Sequence, residues 1–103
     1  MLNGAEYMEV LRDNLPAALD RLRPDLVVYN AGSDVLWSDH LSHLFLTADE
    51  MAERDLFVVT EARERGIAVA MVLSGGYGPA SREAHARSIE GILARFDRQI
   101  GPR

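Results

Sequence analysis

The chain has 103 residues and carries 11 basic side chains, all arginine, against 16 acidic ones, a formal charge of −5 that argues against non-specific nucleic-acid binding. With 48% apolar and 26% charged residues it has the make-up of one globular domain, able to bury roughly 60–70% of its unfolded surface. The lack of cysteine excludes a disulfide scaffold, a thiolate zinc finger and a cysteine nucleophile and suits a reducing, cytoplasmic setting; no apolar run nears the ~20 residues that span a bilayer, and the start, Met1 to Tyr7, lacks the features of a signal peptide.

Met8, Leu11, Leu15, Ala18, Leu19 and Leu22 recur at i, i+3, i+4, i+7 spacing, which predicts a first helix with one apolar stripe. Pro16 would clash with the carbonyl of Arg12, so a kink or a restart is expected near Asn14. Arg23-Pro24 stops the helix. Residues 25–29, Asp-Leu-Val-Val-Tyr, form a short unbroken apolar run, the pattern of a strand covered on both faces. Asn30-Ala31-Gly32-Ser33-Asp34 is a loop by composition. It continues to Leu46, and connections that long are more often functional than not.

Thr47-Ala48-Asp49-Glu50 has the capping-box pattern of a helix start. Met51, Val58 and Ala62 share one face of that helix, with Leu56 and Val59 beside it. Arg63 and Arg65 occupy the last turn and Gly66 the position just past it. Residues 67–73, Ile-Ala-Val-Ala-Met-Val-Leu, form the second apolar strand. Residues 74–79, Ser-Gly-Gly-Tyr-Gly-Pro, make a tight turn. Ser81 caps a third helix whose apolar positions are His85, Ile89, Ile92, Leu93 and Phe96.

The order α–β–α–β–α contains one parallel βαβ unit with a right-handed crossover. Two strands apolar on both faces need edge neighbours and helices above and below. A lone two-stranded sheet is marginal. The expected fold class is therefore α/β, as a piece of a larger parallel, three-layer α/β/α sheet.

In such sheets ligand sites gather at the carboxyl ends of the strands. The first strand leads there to Asp34, with a second acid at Asp39. The second strand leads to Gly75, Gly76 and Tyr77. Spacing alone allows a metal-binding or basic carboxylate at Asp34 and equally a turn-capping one. It allows Tyr77 to aim its hydroxyl into a cleft, because the glycines permit close backbone approach, and equally a plain loop tyrosine.

Two stretches then become recognisable. Residues 24–39, from Pro-Asp-Leu-Val-Val-Tyr to Asn-Ala-Gly-Ser-Asp-Val-Leu-Trp-Ser-Asp, resemble the zinc-ligand segment of the histone deacetylase family. Residues 63–77, ending in Ser-Gly-Gly-Tyr, resemble its catalytic-tyrosine segment. The Ser-Gly-Gly-Tyr form and the intervening Leu-x-Leu-Thr are most similar to class IV-like and bacterial members. The resemblance runs from about Gly4 to Phe96. It implies the C-terminal part of the arginase–deacetylase fold, with residues 1–103 as one incomplete domain.

The resemblance also implies roles. Asp34 matches the second aspartate of an Asp-His-Asp zinc site. Tyr77 matches the tyrosine that donates to the substrate carbonyl. Gly75 and Gly76 match glycines of the channel floor, and Leu41 an apolar channel residue. The cofactor implied is zinc, and the substrates implied are acetylated lysine or acetylated polyamine. An open zinc position suits amide hydrolysis, and the tyrosine acts as an oxyanion-hole donor. A neighbouring histidine normally handles the protons. This chain departs from the pattern at Asp39-His40-Leu41-Ser42, where the family usually has Asp-Pro-Leu-Gly. It also contains neither the Asp-x-His segment that supplies the other ligands nor the His-His pair of the general base. The chain on its own is therefore expected to lack activity, with the missing N-terminal part of the domain as a partner.

Other readings remain beside this one. A non-catalytic remnant, or a fragment that complements another polypeptide, fits the missing motifs. Residues 74–78 also suggest a phosphate-binding βαβ module, without the lysine of a P-loop. His40 and His43 read as solvated loop histidines, and His85 as a satisfied, partly buried core histidine. Trp37 lines a channel mouth or anchors the loop. The arginines around Arg63, Arg65, Arg82 and Arg87 read as solvated helix faces.

Overall fold

The computed structural model describes residues 4–32, 46–73 and 81–100. Five elements follow one another: α1 (Gly4–Leu22), β1 (Leu26–Asn30), α2 (Ala48–Glu64), β2 (Ala68–Val72) and α3 (Ser81–Ile100). Their order is the predicted one. The strands pair in parallel, from Leu26 opposite Ala68 to Asn30 opposite Val72. Parallel neighbours need a crossover, and α2 supplies it.

The restart expected near Asn14 does not occur, and α1 runs through Pro16 as one helix. Leu15 and Leu19 flank the proline and pack in a single cluster with Ala62 and Ile67, which holds both halves of the helix in place. The side-chain amide of Asn14 donates to the Val10 carbonyl at 2.7 Å.

The helix ends show how local chemistry sets the boundaries. Both halves of the capping box at Thr47 are present. The Glu50 amide donates to the Thr47 hydroxyl at 3.1 Å, and the Thr47 amide donates to the Glu50 carboxylate at 2.9 Å. α2 closes with the Ile67 amide on the Ala62 carbonyl at 2.9 Å and the Gly66 amide on the Arg63 carbonyl at 3.0 Å. That pattern needs a left-handed residue, and Gly66 has φ +72°. α1 uses a simpler left-handed stop, with the Arg23 amide on the Leu19 carbonyl at 2.9 Å. Its turning residue is Arg23 at φ +45°, a conformation that costs a side-chain-bearing residue about 1 kcal/mol.

Two small apolar clusters hold the layers together. Leu19, Ala62 and Ile67, with Leu15, Val27 and Val69, join α1 and α2 to the strands. Leu46, Met51 and Ala84, with Tyr7 and Ala48, join the starts of the three helices. Burial alternates along both strands. Val27, Tyr29, Val69 and Met71 are half-buried, whereas Leu26 and Val28 are 54% and 65% exposed. Among the described residues, the helices therefore cover one face of the sheet. The expectation that both faces are covered holds for that face alone, because α1 and α3 both pack on the side where α2 crosses.

The packed face of α3 also differs from the predicted one. Ala84, His85, Ser88 and Phe96 are buried, while Ile89 and Leu93 are exposed. The helix is turned so that the Ser88 hydroxyl meets a buried carboxylate on α2.

Candidate active site

The strand register brings the two candidate loops to one edge. Asn30 and Val72, the last residues of the two strands, are partners. One further bond, from the Ala31 amide to the Val72 carbonyl at 2.8 Å, holds the exits together. The segment bearing Asp34 and the segment bearing Tyr77 thus leave the sheet side by side, as expected for the rim of a parallel sheet. Asp34, Asp39, Trp37, His40, Leu41 and His43 themselves lie outside the described residues. So do Gly75, Gly76 and Tyr77, together with the turn read as a phosphate cradle. Among the described residues, no group of three or more His, Cys, Asp or Glu is placed to hold a metal ion. A surface groove lined by Asp20, Arg23, Asp25 and Arg65 opens at the other, amino-terminal end of the strands, away from this rim.

Beneath the exit of β1 lies a buried polar network. Asp55 on α2 is fully buried. One of its oxygens accepts from the Tyr29 hydroxyl of β1 and from Arg54 Nε at 2.8 Å. The other accepts from the Ser88 hydroxyl of α3. Arg54 Nη2 lies 2.7 Å from the first oxygen as an ion pair, without the alignment of a hydrogen bond. Arg54 Nη1 reaches the other way and donates to the Gly32 carbonyl at 3.0 Å. Its guanidinium lies 5.7 Å from the centre of the Tyr29 ring, within cation–π range. One carboxylate therefore ties together β1, α2, α3 and the first residues beyond β1.

The electrostatics follow from burial. Burial pushes the Tyr29 hydroxyl well above its ordinary range; Arg54 opposes that shift, and Asp55 adds to it. Tyr29 stays protonated and remains the donor. Burial works against the charge on Arg54, but Tyr29 and Asp55 outweigh it and the arginine pKa rises. His85, expected as a satisfied core histidine, is buried, yet its Nδ1 has no hydrogen-bond partner among the described residues. Burial lowers its pKa below the ordinary 6.5; Asp55 pulls it up and Arg54 pushes it down.

Residues 1–93 match the histone deacetylase domain family. The chain belongs to the histone deacetylase family. It is 40% identical over 87 residues to histone deacetylase 2 of Arabidopsis thaliana, across 84% of this chain and 22% of that protein. It is 30% identical over 92 residues to a probable deacetylase of Methanothermobacter thermautotrophicus, across 89% of this chain and 26% of that protein. An uncharacterized protein of Picosynechococcus is 35% identical over 76 residues, across 74% of this chain and 25% of that one. The chain thus spans about a quarter of the length of these relatives.

The family resemblance supplied Asp34 and Tyr77, but sequence reasoning missed the buried network of Tyr29, Arg54, Asp55 and Ser88. The signal was present. Arg54 and Asp55 fall in phase with Met51, Val58 and Ala62 on the buried face of α2, so two charges sit inside an apolar stripe. Such charges are buried only when paired.

Proposed function

We propose that the chain forms part of a zinc-dependent deacylase that hydrolyses acetyl-lysine or acetyl-polyamine amides, with the arginase–deacetylase arrangement of a three-layer sheet. The observation that carries this reading is the pairing of Asn30 with Val72, which starts the Asp34 and Tyr77 segments from neighbouring points on one edge. Family membership makes the deacetylase chemistry the natural use of that edge. In this reading Asp34 gives one carboxylate ligand, and the other two ligands come from outside these 103 residues. A zinc ion with an open position supplies Lewis acidity there. Tyr77 donates its hydroxyl proton in a hydrogen bond to the amide carbonyl oxygen, where negative charge grows in the transition state. Gly75 and Gly76 give the backbone room to approach the substrate, and Leu41 packs along the acyl group.

The test is Tyr77→Phe in the intact protein that carries this chain. Loss of one such donor lowers turnover about 10²–10³-fold, while zinc content, read by elemental analysis, stays at the wild-type level. Wild-type turnover in Tyr77→Phe overturns the assignment.

The exposed sheet face favours a second reading of how the chain works. Leu26, Val28 and Val72 are open to solvent, which suits a fragment completed by the rest of a deacetylase domain. Co-expression with the upstream-encoded polypeptide, followed by pull-down, tests this. An isolated chain that binds zinc stoichiometrically and turns over substrate overturns it.

A further inference from the structure

The buried network joins the scaffold to the loop that carries the proposed metal ligand. The Arg54 guanidinium is a planar fork with donors on two sides. Its Nε side is held on Asp55, and its Nη1 side holds the Gly32 carbonyl. Asp55 is in turn fixed by Tyr29 and Ser88. Gly32 is buried and stands two positions before Asp34 in the chain. A carbonyl at that point would be satisfied by water if the loop only had to reach solvent. Instead a charged side chain, 4% exposed, is placed under it, and burying an arginine has a cost that only good pairing offsets.

We propose that Arg54 is a positioning residue, held on Asp55, that fixes the path of the chain at Gly32 as it leaves β1, two positions ahead of Asp34 in the sequence. The inference rests on reading Asp34 as a metal ligand. Second contacts of this kind orient ligating carboxylates, and their loss typically costs 10–100-fold in metal affinity.

Trp37, the single tryptophan, lies five positions beyond Gly32 in the sequence and reports on this segment without any metal. The variant Arg54→Met leaves the Asp55 charge buried without its counter-ion, so it risks unfolding the chain. The double variant Arg54→Met/Asp55→Asn removes both charges, and the amide that replaces the carboxylate can still pair with Tyr29 and Ser88. Val58→Ala weakens the same helix face but leaves the Gly32 contact in place, and it serves as the control. Each variant is checked for helix content by circular dichroism, and Trp37 is then titrated with acrylamide. The double variant is expected to fold and to give a quenching constant about twofold above wild type, as the segment opens locally. Val58→Ala is expected to match wild type. In the zinc-loaded intact protein, the double variant is expected to release metal at about 10–100-fold lower chelator concentration.

A folded double variant with wild-type quenching overturns the proposal. So does an equal rise in Val58→Ala, which would mark general loosening. Failure of the double variant to fold also overturns it, because the pair would then serve the fold rather than the loop. The tryptophan readout needs neither zinc nor turnover. A protein in which Tyr77→Phe is fully active would sink the deacylase reading and leave this measurement standing.

Discussion

At the carboxyl end of the sheet Arg54 pairs with Asp55, with side chains 4% and 0% exposed. At the amino end Arg65 pairs with Asp20 at the same 2.7 Å, with side chains 25% and 66% exposed. The residue types and the separation are alike, and the surroundings are opposite. In the buried pair each charge has lost its water, so Asp55 depends on Arg54 and on the donors Tyr29 and Ser88, and Arg54 depends on Asp55 and on the Gly32 carbonyl. In the exposed pair water replaces any partner that leaves. The buried pair stands at the end of the sheet where both strands exit. The end with solvated pairs carries the stops of α1 and α2 and the connections into the strands.

Breaking the buried pair should have the largest effect on stability. Asp55→Ala strands the Arg54 guanidinium and leaves Tyr29 and Ser88 without their acceptor. The expected loss is about 3–5 kcal/mol, a large share of the stability of a small domain. Urea unfolding followed by circular dichroism at 25 °C would show the midpoint moved to much lower urea. A shift under about 1 kcal/mol, the exposed-pair range, would erase the contrast between the two ends.

The contrast sharpens with pH. His85 is buried beside Asp55 and Arg54, and its folded pKa lies below the ordinary 6.5. The unfolded chain therefore takes up the proton first as pH falls. Stability is complete above the ordinary value and declines as pH drops through it toward the folded value. Melting temperature should fall between pH 7.5 and 5.5, and His85→Gln should flatten that stretch of the curve. The effect is smaller than that of Asp55→Ala, because one neutral ring gains a charge while the network stays intact. An unchanged slope in His85→Gln would assign the pH response to other groups.

How much of this was legible depends on how local the signal is. The capping box of Thr47 and Glu50 and the left-handed Gly66 are written in a few adjacent residues, and both are found where read. The strands were legible as apolar runs. Such runs do not say which face this chain covers with its own helices, so the open face of Leu26 and Val28 was not. Helix phase was legible on α2 only for its apolar members. Arg54 and Asp55 were passed over because charges are expected outside, and their pairing depends on Tyr29 and Ser88, distant in sequence. On α3 the inward face carries Ser88, a member of the same network, and leaves Ile89 exposed. Asp34 and Tyr77 were legible through the family resemblance, because spacing alone does not separate a ligand from a turn-capping acid.

The smallest effect belongs to the exposed pair. Arg65→Met keeps the aliphatic stem and removes the bonds to Asp20 and to the Glu61 side chain and carbonyl. The Arg65 hydrogen bond holds the Asp20 carboxyl below its usual range; desolvation opposes the shift, and the charges of Arg65 and Arg23 add to it. Loss of the pair lets that carboxyl return toward 3.8, and water takes over as its partner. The Gly66 stop of α2 consists of backbone bonds and does not need the side chain. Arg65→Met should therefore keep its helix content, with a melting temperature only slightly below wild type at low salt. In about 1 M NaCl, where screening acts within about 3 Å, even that difference should close. A drop that persisted in high salt would mean that Arg65 acts through packing or through the end of α2, and that the two ends of the sheet differ less than their exposure suggests.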